Sequence, residues 1–338
     1  MMLFRADFQK EVKRQRDRGR CLHFSNGIQC NHFISAHSIQ RSQLNLIAEN
    51  GHVYRLNADL STICREGIPY PTKIGLTKTS TFSGFCKFHD NALFEPIDNS
   101  HLDSNKEQIA LYAYRSICRE LFVKENAVKV LEKMKTHREL NSDQQEYFER
   151  MQSAYSLSFD RLKHHKNCYD QALSNKIYDD FEYTYFTSIS PCSLQVSGQL
   201  YPDFDFLGRF LQEYSDFSSS LDLITFFTAP TREGWAFCFG WHSSSNLSNV
   251  PYIQSLATIV SEGKKIEDAL LRLSFTCCEN HAFRISWWDG LTKASQQVAL
   301  ERMLVIVPSE INYLVNGCEG IADWNFNAVH TSLSPNPS

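Results

Sequence analysis

Three thiols and one imidazole constrain this chain more than any other feature of its sequence. Cys21 and Cys30 are separated by eight residues that contain the turn Ser25-Asn26-Gly27, and Gly84-Phe85-Cys86-Lys87-Phe88-His89 later supplies a C-x-x-H pair. Tetrahedral zinc takes four soft or borderline donors, and three thiolates with one imidazole form an accepted set. From Cys21 to about Asp98 the text is broken by Gly, Ser, Thr and Asn, with short strand-like pieces such as Gly51 to Leu56. So loop-rich a stretch has a thin apolar core and gains from a metal staple. Cys21, Cys30, Cys86 and His89 are therefore read as ligands of one structural Zn2+, with Cys64 as the internal competitor.

The other cysteines do not share this spacing. Cys118, Cys168, Cys192, Cys238, Cys277, Cys278 and Cys318 lie in apolar or helical stretches, where a thiol behaves as a small buried hydrophobe. The total of 11 is odd, and the N-terminus has no apolar leader, so a disulfide framework is not expected. With no run of eighteen apolar residues, no membrane span is expected, and the chain reads as cytoplasmic.

The remaining text predicts an α+β chain of three parts. Residues 1–100 form the zinc module, entered through a short helix with Phe4, Phe8 and Val12 on one stripe. Residues 106–176 read as an antiparallel helical hairpin. Its first helix carries Ile109, Tyr112, Ala113, Ile117, Leu121 and Phe122 inward, and its second carries Tyr147, Phe148, Met151, Tyr155 and Leu162. Ser142 or Asp143 is the expected N-cap of the second helix, and the His164-His165 pair is expected at the surface. Residues 178–330 form a mixed α+β domain. Strands are expected at 181–186, 221–228, 235–241 and 303–307, and helices near 253–260 and 266–273, with a flexible tail after Thr331. There is no internal repeat, Walker loop, G-x-G-x-x-G or G-x-S-x-G. Glu279-Asn280-His281 and Trp287-Trp288 are read as packing.

Two ligands from a loop and two from a later turn and helix resemble the construction of a treble-clef zinc site. The stretch after Cys30, Phe33-Ile34-Ser35-Ala36-His37-Ser38-Ile39-Gln40, resembles the strand-ending His segment of zinc-stapled HNH nucleases. The resemblance covers about residues 20–98. It implies His37 as general base on a water, and Asp90, in the place of the first helical His, as an oxygen ligand for Mg2+ or Mn2+. The final helical His of that family is replaced by Phe94, which binds no metal, and some fifty residues separate His37 from Cys86. The pairing of A-H-S-I-Q with F-C-x-x-H-D-x-x-L-F also resembles a bacterial group that lends organisation rather than chemistry.

Charge is unevenly placed. Residues 1–105 carry 13 Lys/Arg against 10 Asp/Glu, and the rest of the chain 21 against 28. A basic N-terminal segment on an acidic body suits nucleic acid or a protein partner, and its bland counterpart is a solvated helix face. The expected function is a zinc-stabilised binding module. The alternative is a divergent HNH-type endonuclease, and either would suit bacterial antiviral defence by analogy.

Overall fold

The computed structural model describes residues 2–56, 70–215, 220–304 and 313–334. The fold is mixed α+β, and among the described residues no helix is long and apolar enough to cross a membrane. The backbone divides into two units. One comprises residues 1–38, 82–95 and 114–177, the other residues 39–81, 96–113 and 178–338. This division cuts across the three consecutive parts expected above. The insert 39–81, which separates the two ligand pairs in sequence, belongs with the C-terminal residues.

In the first unit, helix α1 (Met2–Asp17) has no acid in its first turn, and Glu139 accepts from the Phe4 backbone N–H at 2.8 Å in its place. Phe4 packs its ring edge-on to Phe148 at 5.4 Å and to His137 at 5.2 Å. The expected stripe fails at its third member, because Val12 is exposed while Glu11 and Gln15 are buried. Glu11 tolerates burial because Arg14, Lys133 and Gln15 all bind its carboxylate, which holds its pKa down at about 2.

Two further long helices follow, separated by a short connection: α4 (Lys106–Met134) and α5 (Ser142–Asn175). Tyr114, early in α4, bonds Asp170, late in α5, while Lys135 just beyond α4 reaches Gln152, so the two run antiparallel. The cap of α5 is Asn141, one residue earlier than expected. Its side chain accepts from Gln144 N–H and the Gln144 side chain returns the bond. Of the residues expected inward, Leu162 is fully buried but Tyr147 is exposed; His164 is exposed, and His165, expected beside it at the surface, is buried.

Strand β1 (Phe33–His37) pairs with β4 (Thr81–Cys86), and α3 (Lys87–Asp98) follows β4 directly. The chain ahead of β1 lies along β4, with Arg20 N–H donating to Ser83 O and Leu22 N–H to Gly84 O. Gly84 is required here, since a Cβ would sit 2.3 Å from the Phe82 ring. Phe94 is fully buried, edge-on to Phe85 at 5.2 Å and beneath the Arg115 guanidinium at 3.9 Å.

The second unit is built on an eight-stranded sheet in the order β10-β5-β8-β7-β6-β9-β2-β3. The strands are β2 (His52–Leu56), β3 (Pro71–Gly75), β5 (Phe181–Ser188), β6 (Leu194–Leu200), β7 (Ile224–Pro230), β8 (Trp235–His242), β9 (His281–Phe283) and β10 (Ala328–Thr331). All neighbours are antiparallel. Phe226, Phe237 and Phe239 share one face, where Tyr252 of α6 (Asn246–Ser261) and helix α7 (Ile266–Cys277) join them in the core. On the opposite face Tyr112 of α4 stacks on Phe227 at 4.8 Å. A Cβ on Gly240 would come within 2.7 Å of Ile109. Burial on both sides explains why β8, from Trp235 to Trp241, reads as a dense apolar run rather than an alternating one.

The insert contributes helix α2 (Arg41–Asn45) and the pair β2–β3, which joins the sheet through Tyr54 against Phe283 of β9. Met303, expected to open a strand, ends helix α9 (Lys293–Met303), and 305–307 lie outside the described residues, as do Cys64 and residues 335–338 of the tail. Trp287 and Trp288 of α8 (Ile285–Gly290) pack on Phe283 at 5.8 and 5.0 Å, and the buried His281 bonds Cys278 O at 2.6 Å.

Candidate metal centre

The four residues singled out by spacing meet in the first unit. Cys21, Cys30, Cys86 and His89 place their ligand atoms within 4.8 Å of one another, and among the described residues no other group of three or more such side chains converges in this way. Their positions follow from local structure. The segment 23–28 turns back twice, with Asn26 N–H on His23 O and Ile28 N–H on Ser25 O. Gly27 at φ +89° and Gln29 at φ +55° carry the chain around so that Cys30 returns beside Cys21. Cys86 ends β4, and His89 lies one turn into α3, three residues on, so both project to one side.

The His89 Nδ1 atom is 3.4 Å from Cys21 Sγ, 3.4 Å from Cys30 Sγ and 3.3 Å from Cys86 Sγ. One imidazole nitrogen makes one ordinary hydrogen bond, so three sulfurs around it need another explanation. With Zn–S at about 2.3 Å and Zn–N at about 2.0 Å, the S···N edge of a tetrahedron is about 3.5 Å. The observed edges match this closely, so the donor set fits a tetrahedral cation in both chemistry and spacing.

Electrostatics point the same way. Burial, reinforced by the neighbouring thiols, pushes Cys21 up to about 11, against the pull of backbone N–H groups of Cys86 and His23. Cys86 is shifted down: burial opposes this, but N–H groups of His89 and Asn31 and hydrogen bonds from Cys30 and Cys21 favour its thiolate. Gly27 N–H donates to Cys30 Sγ at 3.4 Å. Burial lowers His89, which keeps a lone pair free for coordination at neutral pH. Three thiolates at this spacing would repel one another strongly; a divalent cation removes that cost.

His37 closes β1 and is half-buried; Asp90 occupies the first turn of α3 and is also half-buried. Phe94, in the place of a helical His, is a core ring. Sequence reasoning passed over His23. Its ring lies parallel to His89 with centroids 4.1 Å apart, its Nδ1 accepts from Ser25 N–H at 3.0 Å, and burial, with His89 and Lys166 adding to it, lowers it to about 4. Its position two residues after Cys21 was the only signal available.

Comparison with known proteins adds no further constraint. No family model, curated protein or solved structure matches this chain. Its functional reading rests on its own geometry.

Proposed function

We propose that the first unit is a zinc-stapled binding module of treble-clef type that recognises nucleic acid. The observation that carries the reading is the convergence of three sulfurs on His89 Nδ1 at 3.3–3.4 Å. The order of turn, paired strands and helix, with ligands on the turn and on the start of the helix, supports the treble-clef form. A site with four protein ligands is closed, which suits a structural ion.

The rim of this centre supports a binding role. Ile28, Phe33 and Phe88 are 65%, 50% and 42% exposed, an unusual share of apolar surface for so small a module. Lys87 N–H bonds His32 O and Phe88 N–H bonds the Asn31 side chain, so an exposed ring stands next to a lysine and close to a histidine. Exposed rings flanked by cations are how proteins stack unpaired bases and hold their phosphates. Among the N-terminal cations, Lys13, Arg14, Arg16, Arg18 and Arg20 are less suited to that task, since each faces Asp17, Glu11 or Glu125. Fluorescence anisotropy with single- and double-stranded oligonucleotides at low and moderate salt tests the proposal. Binding that weakens with salt and drops on Phe88→Ala supports it. No binding at low salt by zinc-loaded protein removes nucleic acid and leaves a protein partner for the same rim.

One observation favours a second reading, the divergent HNH-type endonuclease. His37 ends β1, β1 pairs with β4, and β4 runs into the helix that bears Asp90, which is the strand–strand–helix order that such a site needs. Phe33, Ser35 and His37 alternate onto one face of β1. Plasmid incubated with Mg2+ or Mn2+ decides it: nicking abolished by His37→Ala supports a nuclease, and no nicking in either metal removes it.

A further inference from the structure

A second polar cluster in the first unit, absent from the sequence reading, lies behind the metal ligands. Tyr114 and Lys166 are more than nine-tenths buried. The Tyr114 hydroxyl is 2.7 Å from Asp170 Oδ1 and 3.0 Å from Leu22 O. Lys166 Nζ binds both Asp170 oxygens, at 2.8 and 2.6 Å, and lies 5.3 Å from the centroid of the Tyr114 ring. We infer that Tyr114, held by Asp170 and Lys166, is a positioning residue for the metal centre, acting through the Leu22 carbonyl on the neighbouring ligand Cys21. This rests on the zinc reading of the Cys3His cluster.

A lysine and a carboxylate inside a helical pair are expensive to desolvate, and an apolar pair of like volume serves stability as well or better. What the charged pair supplies is direction. Asp170, fixed at both oxygens by Lys166, holds the hydroxyl of Tyr114 in place, and its single proton is shared between the carboxylate and the Leu22 carbonyl. Leu22 is pinned on its other side by its own N–H on Gly84 O at 2.8 Å. The peptide immediately after Cys21 is thus held on both sides, by β4 and by the two helices, and His23, next in sequence, lies flat against His89. Groups behind the ligands of a metal site commonly set its affinity by fixing where the ligands stand.

The test is zinc affinity of the full chain, by competition with a chromophoric chelator, and the visible spectrum of the Co2+-loaded protein. Tyr114→Phe keeps the ring and removes the hydroxyl, with its bonds to Asp170 and Leu22 O and its contact with Cys118; it should weaken zinc binding roughly 10-fold or more, the usual effect of losing such a partner, and shift the cobalt bands. Asp170→Ala should do the same, and Asp170→Asn, which keeps an acceptor oxygen, should recover part of the loss. Zinc affinity within two-fold of wild type and an unchanged cobalt spectrum in Tyr114→Phe would overturn the inference, whatever happens to the melting temperature, because that pattern is a purely structural role. Failure of the unmodified chain to bind zinc would overturn it together with the metal reading, and the wild-type measurement alone reveals that case.

Discussion

Zinc affinity should depend steeply on pH, and the slope can be worked out from the environment of the ligands. Binding requires three thiolates and one neutral imidazole. Free thiols ordinarily lose their protons near pH 8.5. Cys21 is pushed up to about 11 by burial, so the metal must displace its proton at any physiological pH. Cys86 is shifted down by the N–H groups around it, against the effect of burial, so it yields its proton to the ion more readily than Cys21. His89 is lowered from 6.5 by burial and contributes no proton at neutral pH. Between two and three protons should therefore leave on binding near pH 7. Each displaced proton changes the apparent constant tenfold per pH unit, about 1.4 kcal/mol. The sign follows: protons compete with the ion, so affinity rises with pH and falls 100- to 1,000-fold for each unit lost, about 3–4 kcal/mol. Chelator competition at pH 6.5, 7.0 and 7.5 measures the slope, and calorimetry in two buffers of different ionisation enthalpy counts the protons. A slope of one or less would refute the reasoning, since it would mean that the thiols are not the ligands.

Phe94→Ala should cost about 3–5 kcal/mol from the cavity it leaves, and Phe94→His should also destabilise without creating a second metal site; urea titration followed by circular dichroism and metal analysis checks both. Arg272 is buried in the second unit with its guanidinium on Leu314 O and Gly317 O, so Arg272→Met should strand two carbonyls and cost about 3 kcal/mol. Tryptophan fluorescence reads that loss directly, because Trp235, Trp241, Trp287, Trp288 and Trp324 all belong to this unit. His281, lowered to about 4 by burial from 6.5, favours folding only while neutral. Its contribution is complete above pH 6.5 and lost as pH falls to 4, up to about 3 kcal/mol, and the same fluorescence titration should show this window flattened in His281→Phe.

The convergence of Cys21, Cys30, Cys86 and His89 was legible because residue type and spacing alone mark them as a donor set that could hold a metal ion. The helices at 106–134 and 142–175 were legible from their 3.6-residue stripes, the strand at 181–188 from the alternation of residues 181–186, and the strand at 235–242 from its dense apolar run. What the sequence hid is mostly a matter of long-range pairing. Nothing local in His52–Leu56 says that it joins β9, more than two hundred residues away, so the insert was assigned to the zinc module. Strand β9 is only three residues long, too short for any period to register. The burial of Glu11 leaves little local trace, because one of its cationic partners, Lys133, is on another helix. The cap falls on Asn141 rather than on Ser142 or Asp143, and only the reciprocal bond to Gln144 reveals it. Tyr114, Lys166 and Asp170 carry no spacing signature, since their role depends on two helices lying side by side.

The most direct measurement is metal content of protein purified without added zinc, by mass spectrometry of the native chain and elemental analysis. One zinc per chain is expected, retained through gel filtration, and lost in Cys86→Ser and His89→Ala. A chain that is folded but metal-free, or one whose zinc survives both substitutions, would contradict the metal reading.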